Sequence, residues 1–164
     1  MTRDPEILHL YVSPGHNYFG HHEQPAGRNP VIEVDAVDCV AGQGLRGDRF
    51  FGFKPDYKGQ VTFFAFETYL DLCRLLNVHD RPPSVFRRNV ITRGLDLNSL
   101  VGREFGIQGI RFGGMAECSP CHWMNGAFAP GAERALHGRG GLRARILTDG
   151  SLRVTRAPQQ SSSP

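Results

Sequence analysis

Apolar and polar positions alternate over short stretches of the chain, and this period of two predicts strands more often than helices. Glycine and proline separate the stretches from one another. The predicted strands cover residues 7–12, 31–37, 86–92, 104–107, 110–116, 142–147 and 151–155. Because no regular strand–helix alternation is present, the pattern favours an antiparallel, mainly β domain.

Two pairs of neighbouring strands carry turn residues between them. Gln108 and Gly109 separate one pair, and Asp149 and Gly150 separate the last pair. Asp-Gly suits a tight hairpin turn because both residues tolerate a positive φ. The sequence therefore predicts two β-hairpins, one of them closing the domain.

The main helix is predicted over residues 63–76, where Phe66, Leu70 and Cys73 recur at helical spacing. A shorter helical turn is predicted over residues 95–100. Several short strands with few helices are typical of a small barrel or sandwich that carries helices at its ends. We therefore expect a mainly β, α+β fold.

The 164 residues suffice for one domain, which we place at residues 1–156. Residues 157–164 contain nothing to bury and predict a disordered tail. A formal net charge of +3 does not indicate a nucleic-acid partner. Neither a membrane-spanning apolar run nor a secretory signal is evident, so we expect no membrane partner and a cytoplasmic location.

Four cysteines provide the first candidate chemistry. Cys39 and Cys73 are expected to fill the core, as free cysteines often do. Cys118 and Cys121 flank Ser119 and Pro120, an order that favours a helix start with Ser119 as the N-cap. Cys121 would then lie in the first helical turn, where the helix dipole favours a thiolate.

Several kinds of chemistry use such a pair of cysteines. A structural zinc site usually needs a second cysteine or histidine pair, which the chain lacks at suitable spacing. A thioredoxin-like motif needs a βαβ context with the first cysteine at the helix start, which disfavours that interpretation. One thiolate bound to a soft metal centre fits better, provided that the rest of a cofactor also finds a binding place.

Residues near the middle of the chain could provide that place. On a strand, Arg87 and Asn89 would share one face, while Arg88 would point away. An arginine binds phosphate and a carboxamide binds the polar edge of a heterocycle. The alternative is an ordinary solvated strand face, and the spacing alone leaves both interpretations open. Lys58 could add a positive charge for a phosphate group.

Three histidines lie in the turn-rich segment between the first two predicted strands. His16, His21 and His22 could deliver protons near a substrate, because imidazole titrates near neutral pH. A separate metal site on these residues is the less favoured interpretation, since no spaced carboxylate accompanies them.

A succession of motifs extends over nearly the whole chain, from about residue 7 to residue 154. The motifs are Gly47-Asp48-Arg49, Lys58-Gly59-Gln60-Val61-Thr62, Arg87-Arg88-Asn89-Val90-Ile91-Thr92, Gly94-Leu95-Asp96-Leu97, Leu100-Val101-Gly102, Cys118-Ser119-Pro120-Cys121 and Gly140-Gly141-Leu142. In this order they resemble the MOSC domain, a family named for the C-terminal domain of molybdenum cofactor sulfurase. The chain is most similar to the short, stand-alone bacterial members.

The resemblance implies a mostly β barrel and a molybdenum cofactor. In relatives that reduce N-hydroxylated compounds, such as the mitochondrial amidoxime reducing component, a protein cysteine holds the metal, and Cys121 matches it. The family's Arg-x-Asn pair matches Arg87 and Asn89. Together with Ser119 and Lys58, these residues form the expected cofactor-binding set.

The leading hypothesis is a molybdenum-cofactor-dependent oxidoreductase that acts on N-hydroxylated or N-oxidised small molecules. A separate electron-donor protein is expected, because no flavin or nicotinamide fingerprint occurs in the chain. The alternative is a sulfur-carrier or cofactor-handling protein with a persulfide on Cys121. A third interpretation is a thiol–disulfide protein that needs both Cys118 and Cys121. The sequence leaves the oligomeric state open.

Overall fold

The computed structural model describes residues 4–16 and 27–156 of the chain. Over these residues the strands are β1 Glu6–Val12, β2 Ile32–Val34, β3 Ala36–Val40, β4 Gly44–Leu45, β5 Val61–Ala65, β6 Val90–Arg93, β7 Glu104–Ile107, β8 Ile110–Glu117, β9 Leu142–Ile146 and β10 Gly150–Arg153. The α-helices are α1 Phe66–Leu75, α2 Trp123–Ala127 and α3 Ala132–Ala135, and 3₁₀ helices cover Pro83–Phe86 and Asn98–Leu100. The predicted tail, His21 and His22 lie outside the described residues.

The described strands form two sheets. One has seven strands in the order β2-β1-β6-β5-β9-β8-β7, and the other has three in the order β10-β3-β4. Neighbouring strands are antiparallel except β5 and β6, which are parallel and are connected through α1. The mainly β class with a few short helices is confirmed. The barrel is not, because neither described sheet closes on itself.

The large sheet separates two apolar cores. On β5, Val61 and Phe63 face the three-stranded sheet, while Phe64 faces the helices. Cys39 belongs to the first core, as expected, and burial raises the pKa of its thiol to about 12. The second core packs α1, α2, α3 and the first 3₁₀ helix against the other side of the sheet. The molecule is therefore layered, with the small sheet, the large sheet and the helices in that order.

One predicted hairpin is confirmed and the other is wrong. β7 and β8 turn at Gln108 and Gly109, both with positive φ, as the sequence predicts. In contrast, β9 pairs with β5 and β8, whereas β10 pairs with β3 in the other sheet. Asp149 accepts a hydrogen bond from the Ala41 backbone N–H at 2.7 Å. The chain thus leaves one sheet for the other at Asp149, so β9 and β10 pair with different strands while their apolar residues share the core between the sheets.

The main helix is shorter than predicted. It begins at Phe66, because the residues before it form β5, which pairs with β6 and β9. Leu70 was expected on the packed side, but it is 46% exposed. Phe66 and Cys73, the other two residues at this spacing, pack against the helical core as expected. None of the helices in the described part of the chain is long and apolar enough to cross a membrane.

Candidate active site

The segment that carries the predicted Arg-x-Asn pair is a loop and not a strand. The 3₁₀ helix ends at Phe86, the next residue, Arg87, adopts a left-handed conformation with φ of 57°, and β6 begins only at Val90. Arg87 and Asn89 therefore do not share a strand face, which corrects that prediction. Arg88, which was expected to point away from Arg87 and Asn89, lines the adjoining cleft together with Arg87.

Arg87 is 8% exposed and connects this loop to the segment that follows β1. Its guanidinium group donates hydrogen bonds to Ser13 Oγ at 2.6 Å and to the Gly15 carbonyl oxygen at 2.8 Å. A longer bond of 3.4 Å reaches the Asn29 carbonyl oxygen. Arg87 thus fixes both described ends of the loop that contains His16, and it lines the cleft as well.

Asn89 is 3% exposed and lies behind the wall of the cleft. Its Oδ1 accepts hydrogen bonds from the Thr62 backbone N–H and the Thr62 hydroxyl, each at 3.0 Å. Its Nδ2 donates to the Tyr11 carbonyl oxygen at 3.0 Å. The amide therefore connects β1, β5 and the start of β6, and it does not line the cleft.

Arg88 connects the loop to the cysteine turn. Its Nε donates to the Gly140 carbonyl oxygen at 3.0 Å, and its Nη1 donates to the Phe86 carbonyl oxygen at 3.1 Å. Gly140 passes close to the cysteine turn, because a Cβ atom there would lie 2.0 Å from the Cys118 carbonyl oxygen. The absence of a side chain at Gly140 permits this approach.

The cysteine turn differs from its prediction at the helix start. α2 begins at Trp123 with His122 as its N-cap, so Ser119 does not cap a helix and Cys121 precedes the first turn. Cys118 is 2% exposed, and its backbone N–H donates to the Gly141 carbonyl oxygen at 2.8 Å. Cys121 is half-buried and packs against the helical core. The turn therefore presents Cys121 more openly than Cys118.

The two cysteines and the arginines line a cleft with two lobes. The larger lobe has a volume of about 230 Å³ and is lined by His16, Arg49, Phe50, Val85, Phe86, Arg87, Arg88, Ser119, Cys121, Met124, Ala127 and Arg143. The smaller lobe, of about 100 Å³, is lined by Arg49, Phe50, Tyr57, Gly59, Thr62, Arg87, Arg88, Cys118, Ser119 and Arg143. Together the lobes reach the lower end of the roughly 300–1,000 Å³ usual for small-molecule sites.

The cleft is strongly positive, since four arginines line each lobe and, among residues 4–16 and 27–156, no carboxylate does. Arg49 forms an ion pair of 3.3 Å with Asp48, which is buried behind it. Burial lowers the pKa of Arg49, Asp48 opposes the shift, and the positive charge of Arg88 adds to it. Crowding of like charges in a partly dehydrated cleft favours the binding of an anion.

His16 is one of the residues that line the larger lobe. Its ring contacts Phe50 edge-on, with centroids 4.9 Å apart. Burial lowers the pKa of His16 below its ordinary value, Arg49 and Arg87 lower it further, and Asp48 partly opposes them. The neutral imidazole is therefore favoured at pH 7.

The structure brings together some of the predicted site residues and separates others. Cys121, Ser119 and Arg87 line the larger lobe, whereas Asn89 lies behind it and Lys58 is exposed outside both lobes. The cofactor-binding set predicted from the sequence did not include three arginines of the cleft, Arg49, Arg88 and Arg143. Arg49 and Arg88 belong to motifs of the resemblance, so these motifs were the available signal.

A second cavity of about 210 Å³ lies near the start of α1, beside Glu67, Asp96 and Arg139. Glu67 and Asp96 are exposed, and none of the four cysteines lines this cavity. The cleft is therefore the better candidate for an active site, because it combines a thiol, buried charge and apolar walls.

Comparison with known proteins agrees with the motifs. The family model of the MOSC domain matches residues 43–157, which is more than half of the chain. The chain belongs to the MOSC domain family. No curated protein matches the chain significantly in sequence.

Solved structures show the same fold. The YuaD protein from Bacillus subtilis is 19% identical, with a TM-score of 0.68 over 92% of each chain. YiiM from Geobacillus stearothermophilus is 14% identical, with a TM-score of 0.63 over 91% of this chain and 71% of that one. YiiM from Escherichia coli is 20% identical, with a TM-score of 0.59 over 90% of this chain and 71% of that one. The family prediction made from the sequence is thus confirmed.

The MOSC family includes proteins that bind the molybdenum cofactor, and the donor set of the cleft fits such a group. A thiol is a ligand suited to a soft metal centre, and the arginines suit a phosphate. Among residues 4–16 and 27–156, no three His, Cys, Asp or Glu side chains group together to hold a metal ion.

Proposed function

We propose that this chain binds the molybdenum cofactor in the cleft and is an oxidoreductase that removes oxygen from N-hydroxylated or N-oxidised small molecules. The observation that carries the proposal is that the Cys121 side chain lines the same cleft as four arginines. A soft metal ligand and an anion site in one cleft are the two features that a metal-bearing, phosphorylated cofactor requires.

The residues of the cleft divide into two groups. Cys121 would ligate the metal, while Arg87, Arg88 and Ser119 would bind the phosphorylated part of the cofactor. When bound, the cofactor supplies the two-electron reduction that breaks the N–O bond. Asn89 acts as a positioning residue in this proposal, because its amide holds the strands on which the cleft is built.

The net reaction consumes two electrons and two protons, converts N–OH to N–H and releases water. His16 can pass a proton from solvent into the cleft, because a neutral imidazole has one protonated and one free ring nitrogen. Apolar side chains on one wall of the larger lobe limit the access of water, namely Val85, Phe86, Met124 and Ala127. The electrons would come from a separate donor protein.

Metal and pterin analysis tests the proposal directly. The protein is purified from a host that makes the cofactor, as wild type, Cys121→Ser and Cys73→Ser. Cys73 is the matched control, because like Cys121 it is half-buried and packs against the helical core, but it does not line the cleft. We expect molybdenum and oxidised-pterin fluorescence in the wild type and in Cys73→Ser, and a loss of molybdenum in Cys121→Ser.

Other outcomes select the competing functions. Equal molybdenum in wild type and Cys121→Ser would remove Cys121 as the ligand. Labile sulfur on Cys121 without molybdenum or pterin would support the sulfur-carrier function. If Cys118→Ala abolished activity as fully as Cys121→Ala, a thiol–disulfide mechanism would replace both.

A further inference from the structure

The aromatic loop, residues 46–58 between β4 and β5, lines the cleft and also reaches the surface. Phe50 lines both lobes, and Tyr57 lines the smaller one. Phe53 packs against both rings, with its centroid 5.7 Å from that of Phe50 and 5.0 Å from that of Tyr57, and its centroid lies 6.1 Å from that of His16. Phe53 is nevertheless 51% exposed. The ring cluster therefore extends from the walls of the cleft to solvent, with Phe53 at its outer end.

The two carboxylates of the aromatic loop are each neutralised by an arginine. Asp48 is buried and pairs with Arg49 at 3.3 Å. Asp56 pairs with Arg145 of β9 at 3.1 Å. Neither carboxylate is therefore left to balance the remaining basic side chains of the loop.

Those basic side chains are Arg46, Lys54 and Lys58, and all three are exposed. None of them forms an ion pair in the described part of the chain. The Lys54 Nζ atom lies 5.3 Å from the centroid of the Tyr57 ring, a contact that orients the ammonium group without cancelling its charge. The outer surface of the aromatic loop thus combines uncompensated positive charge with an exposed aromatic ring.

An electron donor must come close to this surface if the proposed reaction takes place in the cleft. The rate of electron transfer between two proteins falls steeply with the distance between their redox centres, so a donor docks where the walls of the cleft reach solvent. Phe53 marks such a place. Aromatic side chains are enriched in protein interfaces, and positive charge attracts and orients an acidic partner.

We propose that the aromatic loop is the docking surface for an acidic electron-transfer protein, with Phe53 as the apolar contact and Lys54 and Lys58 as the charged contacts. The inference rests on the proposed function and specifies the surface chemistry of its electron donor. A carrier of one electron would dock twice, so two carriers are oxidised while N–OH and two protons become N–H and water. A small, charged interface suits such a carrier, because it must leave after each transfer.

Nucleic acid is the other macromolecule that binds basic, aromatic surfaces. Proteins that bind single strands stack successive bases on several aromatic platforms along a positive groove. The aromatic loop exposes a single large aromatic ring, that of Phe53, and the formal net charge of the chain is only +3. An acidic protein therefore fits the surface better than a nucleic acid does.

Biolayer interferometry on the full chain tests the docking surface. The protein is purified from a host that cannot make the cofactor, and the probe is an oxidised plant-type 2Fe–2S ferredoxin, which is acidic. We expect saturable binding that weakens from low to physiological ionic strength. The double variant Lys54→Gln/Lys58→Gln should bind about fivefold more weakly at low ionic strength, with a smaller salt dependence. Phe53→Ser should also bind about fivefold more weakly, with the salt dependence of the wild type.

The matched control is Arg74→Gln/Arg103→Gln, which removes the same number of charges. Both arginines are exposed, line neither lobe and form no ion pair in the described part of the chain. The affinity of this variant for ferredoxin should stay within about twofold of the wild type. Melting curves establish that all variants are folded.

Several results would overturn the inference. These are no saturable binding of ferredoxin by the wild type, an equal loss of affinity in the two double variants, or equally tight binding of cytochrome c, a basic carrier. Tighter binding of an oligothymidine than of ferredoxin, lost in Lys54→Gln/Lys58→Gln, would assign the surface to nucleic acid instead. Molybdenum without ferredoxin binding would refute only the docking surface, and ferredoxin binding without molybdenum would refute only the cofactor, so the two tests are separable.

Discussion

Asn89 provides the sharpest test of how the cleft is held in place. The Asn89→Ala variant removes an acceptor for the Thr62 N–H and hydroxyl groups and a donor for the Tyr11 carbonyl oxygen, all at 3.0 Å. The Thr62 hydroxyl can rotate towards another partner, but the two backbone groups cannot. A buried polar group left without a partner costs about 1–3 kcal/mol.

The expected loss in the free energy of unfolding is therefore about 2–5 kcal/mol. For a domain of this size, that corresponds to a melting temperature lower by roughly 5–15 °C. Urea denaturation of the cofactor-free protein, followed by circular dichroism and by the fluorescence of Trp123, measures both the stability and the cooperativity of unfolding.

Asn98→Ala serves as the control, because Asn98 is exposed and its side chain donates one hydrogen bond, to the Gly138 carbonyl oxygen. We expect that variant to lose less than about 1 kcal/mol. If Asn89→Ala unfolded at the same urea concentration as Asn98→Ala, the assignment of Asn89 as a structural connector of β1 and β5 would be wrong. A direct contact with the ligand would then be its remaining role.

Three further predictions concern the cleft. Gly140→Ala should lower the free energy of unfolding by about 1–3 kcal/mol and weaken phosphate binding, because the Cys118 carbonyl must move. Gly126→Ala is the control and should lose no stability, because a Cβ atom there has open space. In an NMR titration, the pKa of His16 should lie below its ordinary value and should rise when phosphate is added, since an anion offsets the charges of Arg49 and Arg87. A pKa that phosphate leaves unchanged would contradict the placement of His16 and the anion in one cleft. Lys58→Ala should bind phosphate like the wild type, as Lys58 is exposed outside both lobes.

Local patterns in the sequence were enough to predict much of the secondary structure. The alternation before Val12 and the turn at Gln108 and Gly109 act over a few residues, so β1 and the β7–β8 hairpin could be recognised without the fold. The motifs likewise identified the family, because their order is a property of the chain alone. Cys121 and Arg87 followed from the same motifs.

The sequence was ambiguous where the conformation that a segment prefers locally differs from the one that pairing with distant strands requires. Residues 63–65 continue the helical spacing of α1, yet they complete a strand between β6 and β9. Asp149 and Gly150 favour a tight hairpin, yet β9 and β10 pair with strands of different sheets. Hydrogen bonds and burial between residues far apart in the chain contribute more free energy than local conformational preferences. Those preferences amount to a few tenths of a kcal/mol to about 1 kcal/mol per residue.

The sequence by itself determined which residue types are available to the cleft, namely a cysteine turn and several arginines in an otherwise moderately charged chain. Only the tertiary structure decided which of them meet. Alternation on β9 shows that Arg143 and Arg145 share a face, but the register with β5 directs Arg143 to the cleft, and Asp56 pairs with Arg145. Strand register and loop conformation bring distant residues together, and neither is encoded in the spacing of residues along one segment.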